Sequence, residues 1–155
     1  MTRPVVLIVA NTPSDNTRTL LDAVARGARE VAADAIDIVC QTPLETDAAD
    51  VRRCHAIIIG TTENFGSMSG LIKDFFERIY YALLEETQGL PYALYVRAGQ
   101  DGQGTLAAVQ RITTGLKWKL IQEPLLLKGK FDPEFIGDCE ELGAVMAAGV
   151  EAGIY

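Results

Sequence analysis

Gly60-Thr61-Thr62-Glu63-Asn64-Phe65-Gly66-Ser67-Met68-Ser69-Gly70 follows an apolar run, His55 to Ile59, and precedes an amphipathic stretch, Leu71 to Leu84. The apolar run reads as a strand buried on both faces. The amphipathic stretch reads as a helix, with Ile72, Phe75, Phe76, Ile79 and Leu83 at helical spacing. A long polar, Gly-rich loop between a buried strand and a helix marks the carboxyl end of a parallel strand, where open α/β sheets hold ligands. A second polar loop, Asn11-Thr12-Pro13-Ser14-Asp15-Asn16-Thr17, follows the apolar run Pro4–Ala10. The two loops together suggest a pocket for a phosphorylated planar group.

The same alternation extends outward along the chain. Strand-like runs fall at Pro4–Ala10, Ala35–Gln41, His55–Gly60, Pro91–Ala98 and Lys119–Leu127. Helical patterns lie between them: Leu20 to Ala32, a shorter one over Thr46 to Arg53, Leu71 to Leu84, and Leu106 to Leu116. A last helix opens with Asp132-Pro133, a capping residue followed by proline at the first helical position. Five strand–helix units with right-handed crossovers give helices on both faces of a parallel sheet. The expected fold is therefore α/β, a three-layer doubly wound five-stranded parallel sheet of order 2-1-3-4-5. In that order the switch point lies between the first and third strands, and the two polar loops follow those strands. The chain is read as one domain over residues 1–155.

Composition narrows the function. The 155 residues are 48% apolar and carry a formal net charge of −7. That charge argues against nucleic acid, which calls for a basic patch, and against anionic membrane surfaces. No stretch approaches a transmembrane length. Pro4–Ala10 is too short for the apolar region of a signal peptide, so the expected location is cytoplasmic. Cys40, Cys54 and Cys139 are scattered and match no zinc or disulfide spacing.

In the first loop, Thr12, Ser14 and Thr17 offer hydroxyls and Asn16 an amide, beside a helix whose free N–H groups favour an anion. The alternative is that the same residues only cap the helix and form a turn. The loop lacks the Gly-Lys-Ser/Thr ending of a P-loop, and no G-x-G-x-x-G follows the first strand. Phe65-Gly66 can place a ring and a bare backbone against a planar ligand, or Phe65 can plug the core beneath the loop. A third loop, Ala98-Gly99-Gln100-Asp101-Gly102-Gln103-Gly104, follows the fourth strand and can reach the same pocket. The only histidine, His55, starts the third strand at the opposite end of the sheet, which argues against a Ser-His-Asp hydrolase and a multi-histidine metal site. Met68 at the centre of Gly66-Ser67-Met68-Ser69-Gly70 excludes a nucleophile elbow.

The first loop, the Gly60–Gly70 stretch continuing through Lys73-Asp74-Phe75-Phe76-Glu77-Arg78, and the tail from Glu123-Pro124-Leu125 to Tyr155 resemble the flavodoxin-like superfamily. The resemblance is closer to its small flavodoxin-family proteins and NAD(P)H-dependent FMN or quinone reductases. It implies FMN as cofactor. The phosphate would fall to Thr12, Ser14, Asn16 and Thr17. The isoalloxazine would lie along Thr61, Thr62, Glu63, Asn64, Phe65 and Gly66, and its pyrimidine edge would meet Ala98, Gly99, Gln100, Asp101 and Gly102. The flavin would carry the chemistry, with no catalytic side chain required. Third-loop N–H groups are expected to stabilise the anionic reduced ring, against the charges of Glu63 and Asp101. Three functions stay open: an oxidoreductase passing electrons from NAD(P)H to a quinone or similar small acceptor, a one-electron carrier serving a redox protein, and a cofactor-free binding domain. Tyr80, Tyr81 and Leu84 on the third helix are either core or a surface for a homo-oligomer.

Overall fold

Strands and helices alternate through the computed structural model, which describes residues 2–155. The order is β1 (Val5–Ala10), α1 (Asp15–Ala32), β2 (Asp37–Gln41), α2 (Ala48–Arg53), β3 (Ala56–Asn64), β4 (Ser67–Met68), α3 (Gly70–Leu83), β5 (Pro91–Ala98), α4 (Gln103–Gly115), β6 (Lys119–Leu120), β7 (Leu125–Lys128) and α5 (Glu134–Glu151). The sheet runs β2-β1-β3-β5, with β6 and β7 both on the outer side of β5, and these pairs are parallel. This is the expected 2-1-3-4-5 order, with two amendments.

The first is that the expected strand Lys119–Leu127 is two segments. Lys119 and Leu120 pair with Pro91 and Tyr92, and Leu125 to Lys128 pair with Tyr95 to Ala98. Pro124 lies between them; it has no N–H to give to a ladder, and it interrupts the pairing. The second is that β3 runs four residues beyond Gly60. Thr61 and Thr62 continue the ladder against Val96 and Arg97, and Glu63 and Asn64 then pair antiparallel with Met68 and Ser67.

Alternation along the strands splits the core in two. Leu7, Val9, Ile57, Ile59 and Leu94 face α3 and α4, where Phe75, Phe76 and Ile79 are fully buried. Val6, Ile8, Ile58 and Ala93 face α1 and α5, whose buried stripes include Leu20, Val24, Ala28, Leu142 and Met146. α1 and α5 approach closely through Gly27 and Gly143: a Cβ at either would run into the carbonyl of Glu140 or Val24 on the other helix. Pro133 stands at the N-cap of α5, one place earlier than expected, and Asp132 before it accepts the Glu134 N–H at 2.9 Å.

The amino end of the sheet is held by hydrogen bonds and aromatic packing. His55 accepts the Val5 N–H on Nδ1 at 3.1 Å while its own N–H donates to the Val5 carbonyl at 2.7 Å. Trp118 stacks at a tilt on Phe76 and Tyr92, each 6.1 Å away, and donates to Thr87 Oγ1 at 2.9 Å.

Candidate functional site

The three loops singled out in the sequence meet at the carboxyl end of β1, β3 and β5, and bond to one another. Asn11, at the exit of β1, donates from Nδ2 to Thr62 Oγ1 at 3.2 Å. Glu63 crosses to the third loop, where Oε1 accepts the Gln100 N–H at 2.7 Å and Oε2 the Gly102 N–H at 2.9 Å. Thr105 of α4 donates to the Ser67 carbonyl at 2.8 Å and ties the β3–β4 hairpin to the helix after that loop.

In the first loop the capping alternative holds for two residues. Ser14 Oγ accepts the Thr17 N–H at 3.2 Å, and Thr17 Oγ1 accepts the Ser14 N–H at 3.0 Å, a reciprocal capping box on α1. Thr17 is buried, with its hydroxyl donated to the Ser14 carbonyl at 2.9 Å. Thr12 Oγ1 accepts from Arg18 at 3.2 Å, which brings a cation to the loop. Ser14, Asp15 and Asn16 are exposed. The N–H groups of Asp15 and Asn16 open α1 and have no carbonyl four residues back within the helix to meet, so they face outward as donors at the positive end of the helix dipole.

The second loop is a hairpin rather than irregular chain. Phe65 (φ 51°) and Gly66 (φ 74°) form its two-residue turn between the paired Asn64 and Ser67. Positive φ at both positions is the geometry whose twist suits an antiparallel pair, and it strains any residue with a Cβ. Phe65 is fully exposed, so it is not a core plug. The Gly66 carbonyl rests where a Cβ on Gly104 would stand, so the turn is braced on α4. Thr61 is buried; its Oγ1 accepts the Ser69 N–H at 3.0 Å and donates to the Thr62 carbonyl at 2.9 Å. Thr62 donates to Asn64 Oδ1 at 2.8 Å. Ser69 caps α3, as a structural residue.

In the third loop Ala98 is buried, Gly99, Gln100 and Asp101 are exposed, and Gly102 (φ 72°) is the N-cap of α4. Asp101 accepts the Gln103 N–H at 3.0 Å. Of the third-loop N–H groups, those of Gln100 and Gly102 are held by Glu63.

Sequence reading missed two parts of the site. Asn11 is 8% exposed, and its Oδ1 is buried with no partner, an acceptor left over at the switch point. Beside it a cleft of about 270 Å³ is lined by Asn11 to Pro13, Thr42 to Leu44, and Leu71. Asn11 was legible as the first polar residue after a buried strand. Thr42 to Leu44 and Leu71 carry no local signal; the β2–α2 connection and the start of α3 bring them there.

The donor set suits a flavin mononucleotide. The α1 terminus with Arg18 offers anion donors, Asn11 Oδ1 an acceptor for a hydroxyl, and Gly66 and Gly99 open space where a side chain would otherwise stand. The cysteines take no part. Burial pushes the Cys54 and Cys139 thiols up to about 12, so both stay protonated inside the core, and Cys40 is raised by burial against the opposing pull of Arg29. Among the described residues no three His, Cys, Asp or Glu side chains gather to hold a metal, and no helix is long and apolar enough to cross a membrane.

Fold and site together define a flavodoxin-like protein of the flavin-binding class. The chain belongs to the NADPH-dependent FMN reductase family, whose model matches residues 4–131, a span that contains all three loops. It is 27% identical to a flavodoxin of Aquifex aeolicus over 111 residues, 72% of this chain and 59% of that protein, so it matches less than two thirds of the relative's length. By structure it is similar to a flavodoxin from the domain Archaea (TM-score 0.81, 16% identity, 95% of this chain and 99% of that one). It is also similar to the two-electron reduced flavodoxin of Megasphaera elsdenii (TM-score 0.75, 18% identity, 92% and 98%).

Proposed function

We propose that the protein is an FMN-dependent oxidoreductase that takes electrons from NAD(P)H and passes them to a quinone or similar small acceptor. The observation that carries this reading is the match to the reductase family across the segment that supplies all three bonded loops. FMN, when bound, supplies the electron-transfer chemistry. The chain's residues bind and orient it. Thr12 and Asn16, with the first N–H groups of α1 and Arg18, hold the phosphate, and the Ser14–Thr17 capping box fixes the helix end that presents those groups. Asn11 Oδ1 accepts from a ligand hydroxyl. Thr61 to Gly66 and Ala98 to Gly102 flank the ring. Glu63 and Asp101 set a negative local charge, which favours electron release over storage.

A second reading is an electron carrier that serves a redox protein. The likeness to the Aquifex aeolicus flavodoxin favours it. One experiment separates the two. Flavin-stripped protein is titrated with FMN by fluorescence quenching, and the complex is then mixed anaerobically with NADPH or NADH. One-to-one quenching followed by rapid bleaching of the flavin band is the expected result. Quenching without bleaching turns the reading to the carrier. Absence of quenching at micromolar protein removes both and leaves a cofactor-free binding domain.

A further inference from the structure

Glu63 does something its neighbours do not. The β3–β5 ladder ends at the Thr62–Arg97 pair, and beyond it the two strands diverge, β3 into its hairpin and β5 into the third loop. There the Glu63 side chain takes over from the backbone, with one carboxylate oxygen on the Gln100 N–H at 2.7 Å and the other on the Gly102 N–H at 2.9 Å. Hydrogen bonds to an ionised acceptor are about twice as strong as neutral ones. Gly102 is the N-cap of α4, and just before it Asp101 accepts the N–H of Gln103, the first residue of that helix, at 3.0 Å. Glu63 therefore adds, from the neighbouring strand, a second carboxylate to the helix N-terminus that Asp101 already meets.

We propose that Glu63 is a positioning residue that clamps the third loop onto the hairpin and withholds the Gln100 and Gly102 amide donors from a ligand bound against the second and third loops. The loop is then closed by the protein's own charge before any ligand arrives. A bound group that gains negative charge meets a carboxylate rather than two free N–H groups. The second consequence rests on the FMN reading; the first does not.

The test has an arm for each. In the flavin-free, full-length protein, amide hydrogen exchange is compared between wild type and Glu63→Gln. A carboxamide has one acceptor oxygen and turns its NH2 toward the second amide, so one bond is lost. Exchange at Gln100 and Gly102 is expected to speed up at least tenfold, with Ile57 to Ile59 unchanged as the control for folding. Equal exchange at both amides overturns the proposal. Should Glu63→Gln fail to fold, scalar couplings through the hydrogen bonds of the wild-type protein, from the Gln100 and Gly102 nitrogens to the Glu63 carboxylate carbon, decide instead, and their absence overturns it.

The second arm measures Kd for oxidised and for reduced FMN. Removing the charge is expected to improve the binding of reduced relative to oxidised FMN roughly tenfold, the size of a one-unit electrostatic effect. An equal change for both forms would reduce Glu63 to a purely structural tie and overturn the withholding of donors. A wild-type chain that takes no FMN sinks the functional reading, and the exchange arm still decides the clamp.

Discussion

The two ends of the sheet are built on opposite terms. At the amino end, aromatic packing and satisfied hydrogen bonds hold the strands: His55 on Val5, Trp118 against Phe76 and Tyr92, and Tyr92 accepting from Thr113 at 2.9 Å. At the carboxyl end stand a phenylalanine at positive φ, a buried amide oxygen without a partner and a carboxylate spanning two elements. Positive φ occurs at both ends, at Ala33, Glu85 and Lys117 on the loops that lead into β2, β5 and β6 as well as at Phe65. The unpaired Asn11 oxygen and the Glu63 tie are what set the carboxyl end apart, and unpaired buried polar groups collect at functional sites.

The sharpest way to break that division is Trp118→Ala. Truncating a buried aromatic costs about 3–5 kcal/mol, measured by urea unfolding. FMN affinity under folding conditions should stay within about twofold; a parallel loss of affinity would show that the ends are coupled. Alkaline pH comes next. Cys54 and Cys139 are raised by burial from 9.0 to about 12 in the folded protein, so the unfolded chain loses these protons first. Their contribution is complete below pH 9 and is lost as pH rises toward 12, by about 1.4 kcal/mol per pH unit for each thiol. Tyr95, also pushed up by burial, adds to the same loss at still higher pH. Urea midpoints between pH 7 and 10.5 should fall accordingly, and Cys54→Ala should flatten the slope.

At the carboxyl end the effects on stability are smaller, and ligand binding carries the readout. Phe65→Asn relieves the strained turn position and should raise stability by about 1 kcal/mol, while FMN binding weakens several-fold in a quenching titration. A gain in both would remove Phe65 from the site. Asn11→Ala loses one hydrogen bond but also an unpaired buried oxygen, so thermal stability should stay within about 1 kcal/mol. FMN affinity should fall at least tenfold, and unchanged affinity would mean that the leftover acceptor has no ligand to serve.

The strand order was legible because β1, the Ala56–Ile59 half of β3 and the apolar and aromatic run Tyr92–Val96 of β5 are buried on both faces, which leaves unbroken apolar runs in the sequence. The extension of β3 was not, because Thr61 to Asn64 are polar and owe their pairing to Val96, Arg97, Ser67 and Met68, partners that local sequence does not name. The hairpin turn was hidden for a related reason. Its usual signature is Asn-Gly, and Phe65-Gly66 departs from it at the strained position. The break before β7 was visible in Pro124 and was outweighed by the apolar residues around it. In the site, loop positions followed from topology. The partners did not: nothing short of the fold places Glu63 on Gln100 and Gly102, or Leu71 beside Pro43.

The pairing of α1 with α5 also sets the order in which the molecule can be completed. Arg26 and Glu140, bonded at 2.8 Å across the two helices, are 114 residues apart. As the chain leaves the ribosome, the apolar stripe of α1 has its strand partners long before the helix that covers it is made. Contacts of such separation form late, after the loop between them has closed. In refolding, a probe at the α1–α5 contact should lag one on the β1–β3 pair. During synthesis this face is the one that a chaperone would find open longest.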